Sequence, residues 1–411
     1  MKAHKAKLIM LVVLAIFVFF FSSDFGLIDV EKTSIITAIA IDKENDEYKV
    51  TAQVAVPEAT DTNSENLKSQ ISGTGSTVGG AIKDLGDLSG WFPKLAFCNL
   101  IILGNGLKDE NVIKVLDYFA KTLRVQDSAL VAMSEKEAYK LLELATPLDN
   151  ISSFALQKIL LKNTGFDRDV SSTDVKTFCS GHYSISGSAI MPIIKAEPAG
   201  NDSSSGSSGG ENQTQSVASS QGQSGEDSRS SSGQNNNKDN LFNAKTTALF
   251  KDGKMVGTLD EDLTFVYNAL HYPFRGTTFS VDKIKFNGQN TNYLLTVLKS
   301  TPKLKVKASV NDLTVDISLK LYCKVSDHSA DGSDEALSQN APLPNDVVAS
   351  AQDYFKTALE SLVQKEIDTG CDFLKIKEKL YRFNHKQYSR YKDSFLSQIK
   401  SSITVKVSGQ K

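Results

Sequence analysis

Forty-one consecutive residues, Gly200 to Asn240, hold only two apolar side chains, Val217 and Ala218, among Ser, Gly, Gln and Asn. So little apolar surface cannot offset the entropy of ordering the backbone, and the tract reads as a flexible tether. It divides the 411-residue chain into two regions, each of which returns at once to strand-like patterns. The 40% hydrophobic and 23% charged fractions are enough for sizeable cores and exclude both wholesale disorder and a polytopic membrane protein. Forty-six Lys and Arg against forty-eight Asp and Glu give a net charge of −2, so no single-sign excess argues for nucleic acid as a partner.

At the start of the chain, Lys2, Lys5 and Lys7 precede fourteen apolar residues, Leu8 to Phe21. A basic stretch followed by an apolar run of this length has the form of a signal segment. As a helix the run would span about 21 Å against about 30 Å of hydrocarbon, with Lys7 and the following serines extending its reach by snorkelling. Cleavage after Ser22 or Ser23 would place Phe20 or Phe21 where a small residue is needed, so an uncleaved anchor is expected. With the lysines ahead of the apolar run, residues from about Asp24 onward lie outside the cytoplasm.

The first region opens with two β-rich runs, Ser34–Lys43 and Tyr48–Pro57, joined by Glu44-Asn45-Asp46-Glu47 as a hairpin. A Gly-rich turn, Ser72–Thr77, then leads to a helix with Val78, Ile82, Leu85 and Leu88 on one side and Ser76 or Thr77 placed to cap it. A buried strand over Lys94–Gly104, a helix over Glu110–Leu123, a strand over Asp127–Met133 and a helix over Glu135–Leu144 complete a mixed α/β pattern. After the tether, Lys245–Leu259 reads as a hairpin turning at Asp252-Gly253. Strands over Thr278–Phe286, Tyr293–Leu298, Lys303–Val310 and Leu313–Val325 alternate as an antiparallel sheet with one wet face would. A long helix follows over Asp346–Ile367, and a strand over Ile403–Val407 closes the chain.

Candidate chemistry is sparse. Gly73, Gly75, Gly79 and Gly80 precede a helix, but a G-x-G-x-x-G loop would need glycine where Val78 stands, and no GxxxxGK[ST] occurs, so the glycines read as part of a helix start. His4, His182, His271, His328 and His385 form no HExxH and no i, i+4 pair, which excludes a zincin helix. Cys98, Cys179, Cys323 and Cys371 lie far from any CxxC spacing; buried free thiols are the plainer reading, with one or two disulfides left open by the even count. Tyr381–Tyr391 is either a basic-aromatic patch for an anionic surface or a solvated segment whose tyrosines pack, and Trp91-Phe92-Pro93 reads as core or domain interface. No residue is assigned a catalytic, cofactor-binding or metal-binding role, and no cofactor is expected.

The order of motifs carries more than any one of them. Ile35–Asp42 with Lys49–Pro57, then Gly75–Leu85, Lys94–Gly104 and Val112–Lys121, resembles the Ger(x)C family, the C subunits of spore germinant receptors. After the tether, Thr247–Asp260 resembles that family's strand pair, and Asp372–Arg382 with the strand ending at Gly409 its C-terminal signature. The resemblance implies an α+β protein of three mixed α/β domains with largely antiparallel sheets behind an N-terminal anchor or signal segment. The boundaries it suggests are 1–26, 27–165, 166–274 with the tether 200–240 inserted, and 275–411. It implies a non-enzymatic extracytoplasmic subunit working beside integral membrane A and B subunits at the outer face of the spore inner membrane. Family members carry a lipobox cysteine before the first strand; here Ser22, Ser23, Asp24 and Phe25 stand instead, so the apolar segment would replace the lipid. Two other classes compete: an anchored cell-wall hydrolase, needing a cluster such as His182 with Asp174 or Ser184, and a solute-binding protein, needing a deep interdomain pocket.

Overall fold

A computed structural model describes residues 10–14, 33–55, 70–122, 125–144, 146, 149, 151–161, 168–198, 240–286, 289–329 and 342–409. Most of the N-terminal apolar run, its cleavage positions and nearly the whole polar tract lie outside the described residues. Among the described residues no helix is long and apolar enough to cross a membrane.

The hairpin at the start forms as the sequence predicts. Strand β1 (Thr33–Glu44) pairs antiparallel with β2 (Glu47–Val54). Its turn puts Asn45 and Asp46 at φ of 46° and 67°, the left-handed region that Asn and Asp tolerate best after glycine. Beyond it the Gly-rich stretch departs from expectation. Gln70–Gly75 is not a turn but an edge strand, β3, antiparallel to β2. Helix α1 (Val78–Ser89) begins only after it, capped by the Thr77 hydroxyl, which accepts the Gly80 N–H at 3.0 Å.

The predicted strand over Lys94–Gly104 is broken in two. Phe92–Lys94 forms the short β4 beside the start of β1, a 3-10 turn follows at Leu95–Phe97, and Leu100–Leu103 is β5, parallel to β1. Next come α2 (Ile113–Thr122), β6 (Leu130–Ser134), α3 (Ala138–Glu143), α4 (Ser152–Leu160), α5 (Val175–His182) and β7 (Ser188–Pro198). Strands β8 (Asn240–Lys251) and β9 (Lys254–Leu259) form the predicted hairpin, with Asp252 and Gly253 at positive φ. All nine strands make one sheet in the order β3-β2-β1-β5-β6-β7-β8-β9, with β4 beside β1.

The centre of this sheet, β1, β5, β6 and β7, is parallel, and its flanks are antiparallel. That division follows from the side chains. Leu100–Leu103 and Leu130–Ser134 are buried at every position, as strands covered on both faces must be. Ile39, Ile41, Ile101 and Val131 face α1, α2 and α5 in one core, whereas Ala38, Ala40, Leu100 and Ile102 face α3 and α4 in another.

Helix α6 (Glu261–His271), capped by Asp260, leads out of this sheet into a third core. There β10 (Thr277–Phe286), β11 (Gln289–Ala308), β12 (Leu313–His328) and β13 (Ile399–Gly409) form a four-stranded sheet in chain order. The first three strands are antiparallel; β13 runs parallel to β12, the return being made through α7 (Asn345–Thr369), α8 (Ile376–Phe383), α9 (His385–Tyr391) and α10 (Phe395–Gln398). One face of the sheet is covered by α7, whose Val347, Ala351, Phe355 and Leu362 are buried. The two strands predicted over 293–298 and 303–310 are one, β11, which carries Pro302 in its interior. Pairing with β10 stops at Val297, so at Pro302 β11 has a strand on one side only, and the missing N–H costs no ladder bond on the other.

Candidate functional site

The residues that a hydrolase would need are not brought together. The Asp174 carboxylate caps α5, accepting the Thr177 N–H at 2.6 Å, while His182 occupies the last turn of the same helix. Ser184 donates its hydroxyl to the Gly181 carbonyl at 2.7 Å, and the His182 ring packs edge-on against Tyr183. Neither a Ser–His nor a His–Asp hydrogen bond joins these three. His271 is half-buried and stacked on Tyr267, with its Nδ1 3.0 Å from the Tyr267 carbonyl; desolvation pushes it down to about 4. His385 stacks among Tyr381 and Tyr388, and His4 lies outside the described residues.

The four cysteines are free thiols, three of them buried. Burial pushes Cys98, Cys323 and Cys371 up to about 12, so none supplies a thiolate nucleophile. The glycines have a packing role. A Cβ at Gly73 would overlap the Ala81 carbonyl and the Leu85 amide, and one at Gly75 the Ala81 amide, so these glycines let β3 lie directly against α1. Among the described residues no group of three or more His, Cys, Asp or Glu side chains could hold a metal ion.

Buried charge concentrates instead where the first sheet meets the C-terminal helices. Gly370, at φ 64°, ends α7, and Cys371-Asp372 then enters the cores beneath β7 and β8. The Asp372 carboxylate accepts the Ile376 N–H at 2.6 Å, the Lys377 N–H at 3.0 Å and the Ser186 hydroxyl at 2.5 Å. Its own N–H donates to Ser188 Oγ, and the Cys371 thiol donates to the Phe250 carbonyl. One side chain thus starts α8 and ties it to the loop before β7. Glu366, in the last turns of α7, is fully buried beside Asp372 and accepts the Leu374 N–H at 3.1 Å. Burial first, and the adjacent Asp372 second, raise the Glu366 carboxyl well above its usual range. Burial raises Asp372 as well, against the pull of its hydrogen bonds. Both shifts favour a neutral Glu366 beside the Asp372 carboxylate.

The sequence marks this pair faintly. Asp372 opens the segment that carries the C-terminal resemblance, and Glu366 stands four residues after Leu362, on the stripe of α7 that is otherwise apolar. A charge on a buried stripe was the available signal. A second buried carboxylate, Asp42, accepts the Ala138 and Tyr139 N–H groups at 2.7 and 3.0 Å and so caps α3 from the end of β1.

Between α6, β10 and α7 lies a cleft of about 470 Å³, floored by Phe265 and Phe279 and rimmed by Asp169, Glu261, Asp262 and Asp282. Three of the four carboxylates are engaged. Asp262 accepts the Tyr354 hydroxyl at 2.9 Å, Glu261 accepts an Asn243 amide hydrogen at 3.1 Å, and Asp169 pairs with Lys245 at 3.6 Å. No histidine or cysteine lines it.

Two aromatic segments differ in their surroundings. In Tyr381–Tyr391, Tyr391 is buried and donates its hydroxyl to the Ser309 carbonyl at 2.9 Å, while Tyr381 packs on Tyr388. Tyr391 is packed as the second reading has it, whereas Tyr381 and Phe383 are exposed. Trp91 and Phe92, expected in a core or domain interface, are instead exposed, because β4 lies at the margin of the sheet and pairs with the first three residues of β1 alone.

Comparison with known proteins adds what geometry does not. Residues 27–196 match the family described as "Spore germination protein N-terminal domain", and residues 245–410 match "Spore germination B3/GerAC like, C-terminal". No curated protein matches the chain. A solved structure described as "Crystal Structure of the GerBC protein" is similar to it, at 15% identity and a TM-score of 0.46, covering 93% of this chain and 100% of that one. The two family matches take up nearly all of the chain outside the N-terminal apolar run and the polar tract, in the expected order, and the protein belongs to the Ger(x)C family of GerAC-like spore germination proteins.

Proposed function

We propose that the protein is a non-enzymatic subunit of a nutrient germinant receptor, held at the outer face of the spore inner membrane by its N-terminal apolar segment. It contributes to germination through contacts with integral membrane A and B subunits. The observation that carries this reading is the pair of germination-family matches spanning both folded regions. In this reading the chain divides into an anchor at 1–26, an N-terminal part at 27–165 and a middle part at 166–274 that holds the tether, these two sharing the nine-stranded sheet, and a C-terminal domain at 275–411. It needs no catalysis from this chain. A carboxylate pair that locks a helix start to a loop, as Asp372 does, suits a protein that transmits contacts between rigid parts.

The test is deletion of the gene followed by exposure of spores to single nutrients. Germination should fail or slow in at least one nutrient and recover when the gene is restored; unchanged germination in every nutrient would refute the reading. One observation favours a second reading, a solute-binding subunit: the aromatic-floored cleft between α6, β10 and α7. It predicts a rise in melting temperature with an amino acid or sugar, which the first reading does not require.

A further inference from the structure

Five large apolar side chains stand exposed around one short strand. Trp91, Phe92 and Phe97 are 47%, 42% and 51% exposed, Ile35 is 42% and Leu88 is 70%. They are neighbours through the fold: Leu88 ends α1, Trp91 and Phe92 follow its Gly90 cap, and Phe97 closes the 3-10 turn after β4. Ile35 lies opposite Lys94 in the β1–β4 pairing. Trp91 and Phe92 line a groove of about 530 Å³ between α1 and β4, with the Tyr118 ring at its other wall. A cluster of this size on a single-chain surface marks a place of contact.

Its position says with what. Phe92 pairs with Thr33, Pro93 with Ser34 and Lys94 with Ile35, so the cluster sits on the first residues of β1. Phe21, the last residue of the fourteen-residue apolar run, precedes Thr33 by only twelve positions, a reach of at most about 40 Å even when fully extended. A chain held in a bilayer by that run keeps this edge of the fold within about 40 Å of the lipid surface. The side chains suit the location. Trp and other aromatic rings favour the headgroup level, and the Lys94 ammonium, 6.0 Å from the Phe97 ring centre, offers a cation to anionic headgroups while its stem covers apolar surface.

We propose that Trp91, Phe92, Phe97, Leu88 and Ile35 form a second membrane contact, which inserts at the headgroup level of an anionic bilayer. It would fix the orientation of the folded body on the membrane that the N-terminal segment merely tethers. The inference rests on the membrane-held reading above, and the experiment separates the two.

Trp91 is the only tryptophan of the chain, so its fluorescence reports on this patch alone. The full-length protein is reconstituted into phosphatidylcholine–phosphatidylglycerol vesicles, with and without acyl chains brominated close to the headgroup. The expected result is that the protein floats with the vesicles, that brominated lipid quenches most of the Trp91 emission, and that acrylamide in the water quenches little. A protein that floats while Trp91 answers to acrylamide and not to bromine keeps its anchor and overturns the second contact. Shielding of Trp91 from both quenchers assigns the patch to a protein neighbour and also overturns it. A protein that does not float overturns the anchor reading and this proposal with it.

Discussion

The proton on Glu366 makes the C-terminal helices sensitive to pH. Its carboxyl is raised well above the usual value of 4.5, so the native state holds a proton that the unfolded chain releases. Stability falls with rising pH wherever the native state binds the extra proton. The contribution of Glu366 is complete below about pH 4.5 and is lost as pH climbs to its native value; Asp372, raised by burial too, acts with the same sign, and Lys379 opposes both by favouring their ionised forms. Glu366→Gln keeps the neutral shape and an oxygen for the Leu374 N–H. Followed by melting temperature between about pH 5 and pH 8, the variant should gain on the parent as pH rises, approaching about 1.4 kcal/mol per pH unit within the window. Parallel curves would mean that Glu366 is ionised in the native protein. Little of this could be read from the sequence, where Glu366 sits in a charged run and looks solvated; its burial depends on Asp372 and the Ser186 loop, which topology alone brings to α7.

At the scale of elements, local signals succeeded where they were self-contained. Both hairpin turns, at Asn45-Asp46 and Asp252-Gly253, and the cap at Thr77 are written in residues whose backbone or side-chain preferences need no distant partner. Misreadings arose where tertiary context reversed a local preference. Gly73 and Gly75 favour a turn on their own, and only the approach of α1 explains why a strand there must lack side chains. Gly73→Ala should therefore cost about 1–3 kcal/mol or more by overpacking. Gly90→Ala, where φ is 71° and nothing lies within 4 Å of the added methyl, should cost only about 1 kcal/mol of backbone strain. Denaturant titration of both variants checks the order; equal losses would show that β3 can move away from α1. The gap expected between residues 298 and 303 closes for a similar reason, since Pro302 is tolerated in β11 only because β10 ends before it.

For the whole molecule, the decisive arrangement is the pairing of β7 with β8 across the polar tract. Pro198 lies opposite Asn240, Ile193 opposite Thr246 and Met191 opposite Ala248, so the tract joins two ends that are already side by side. Cleaving the full chain within the tract should leave both fragments bound on a sizing column without denaturant, and removing Ser203 to Asn237 should change stability little, since loop-closure entropy varies slowly with length. Fragments that separate would place the two halves in independent units. The composition of the tract announced its position in the chain, but the strand pairing beneath it rests on long-range register that no local pattern encodes. Membership of a membrane-bound germination complex can be checked by affinity purification of the tagged full-length protein from detergent-solubilised inner membranes of dormant spores. A multi-span, permease-like protein should co-purify with it in comparable amount. Recovery of the chain from the membrane with no integral membrane partner, under conditions that preserve other inner-membrane complexes, would contradict it.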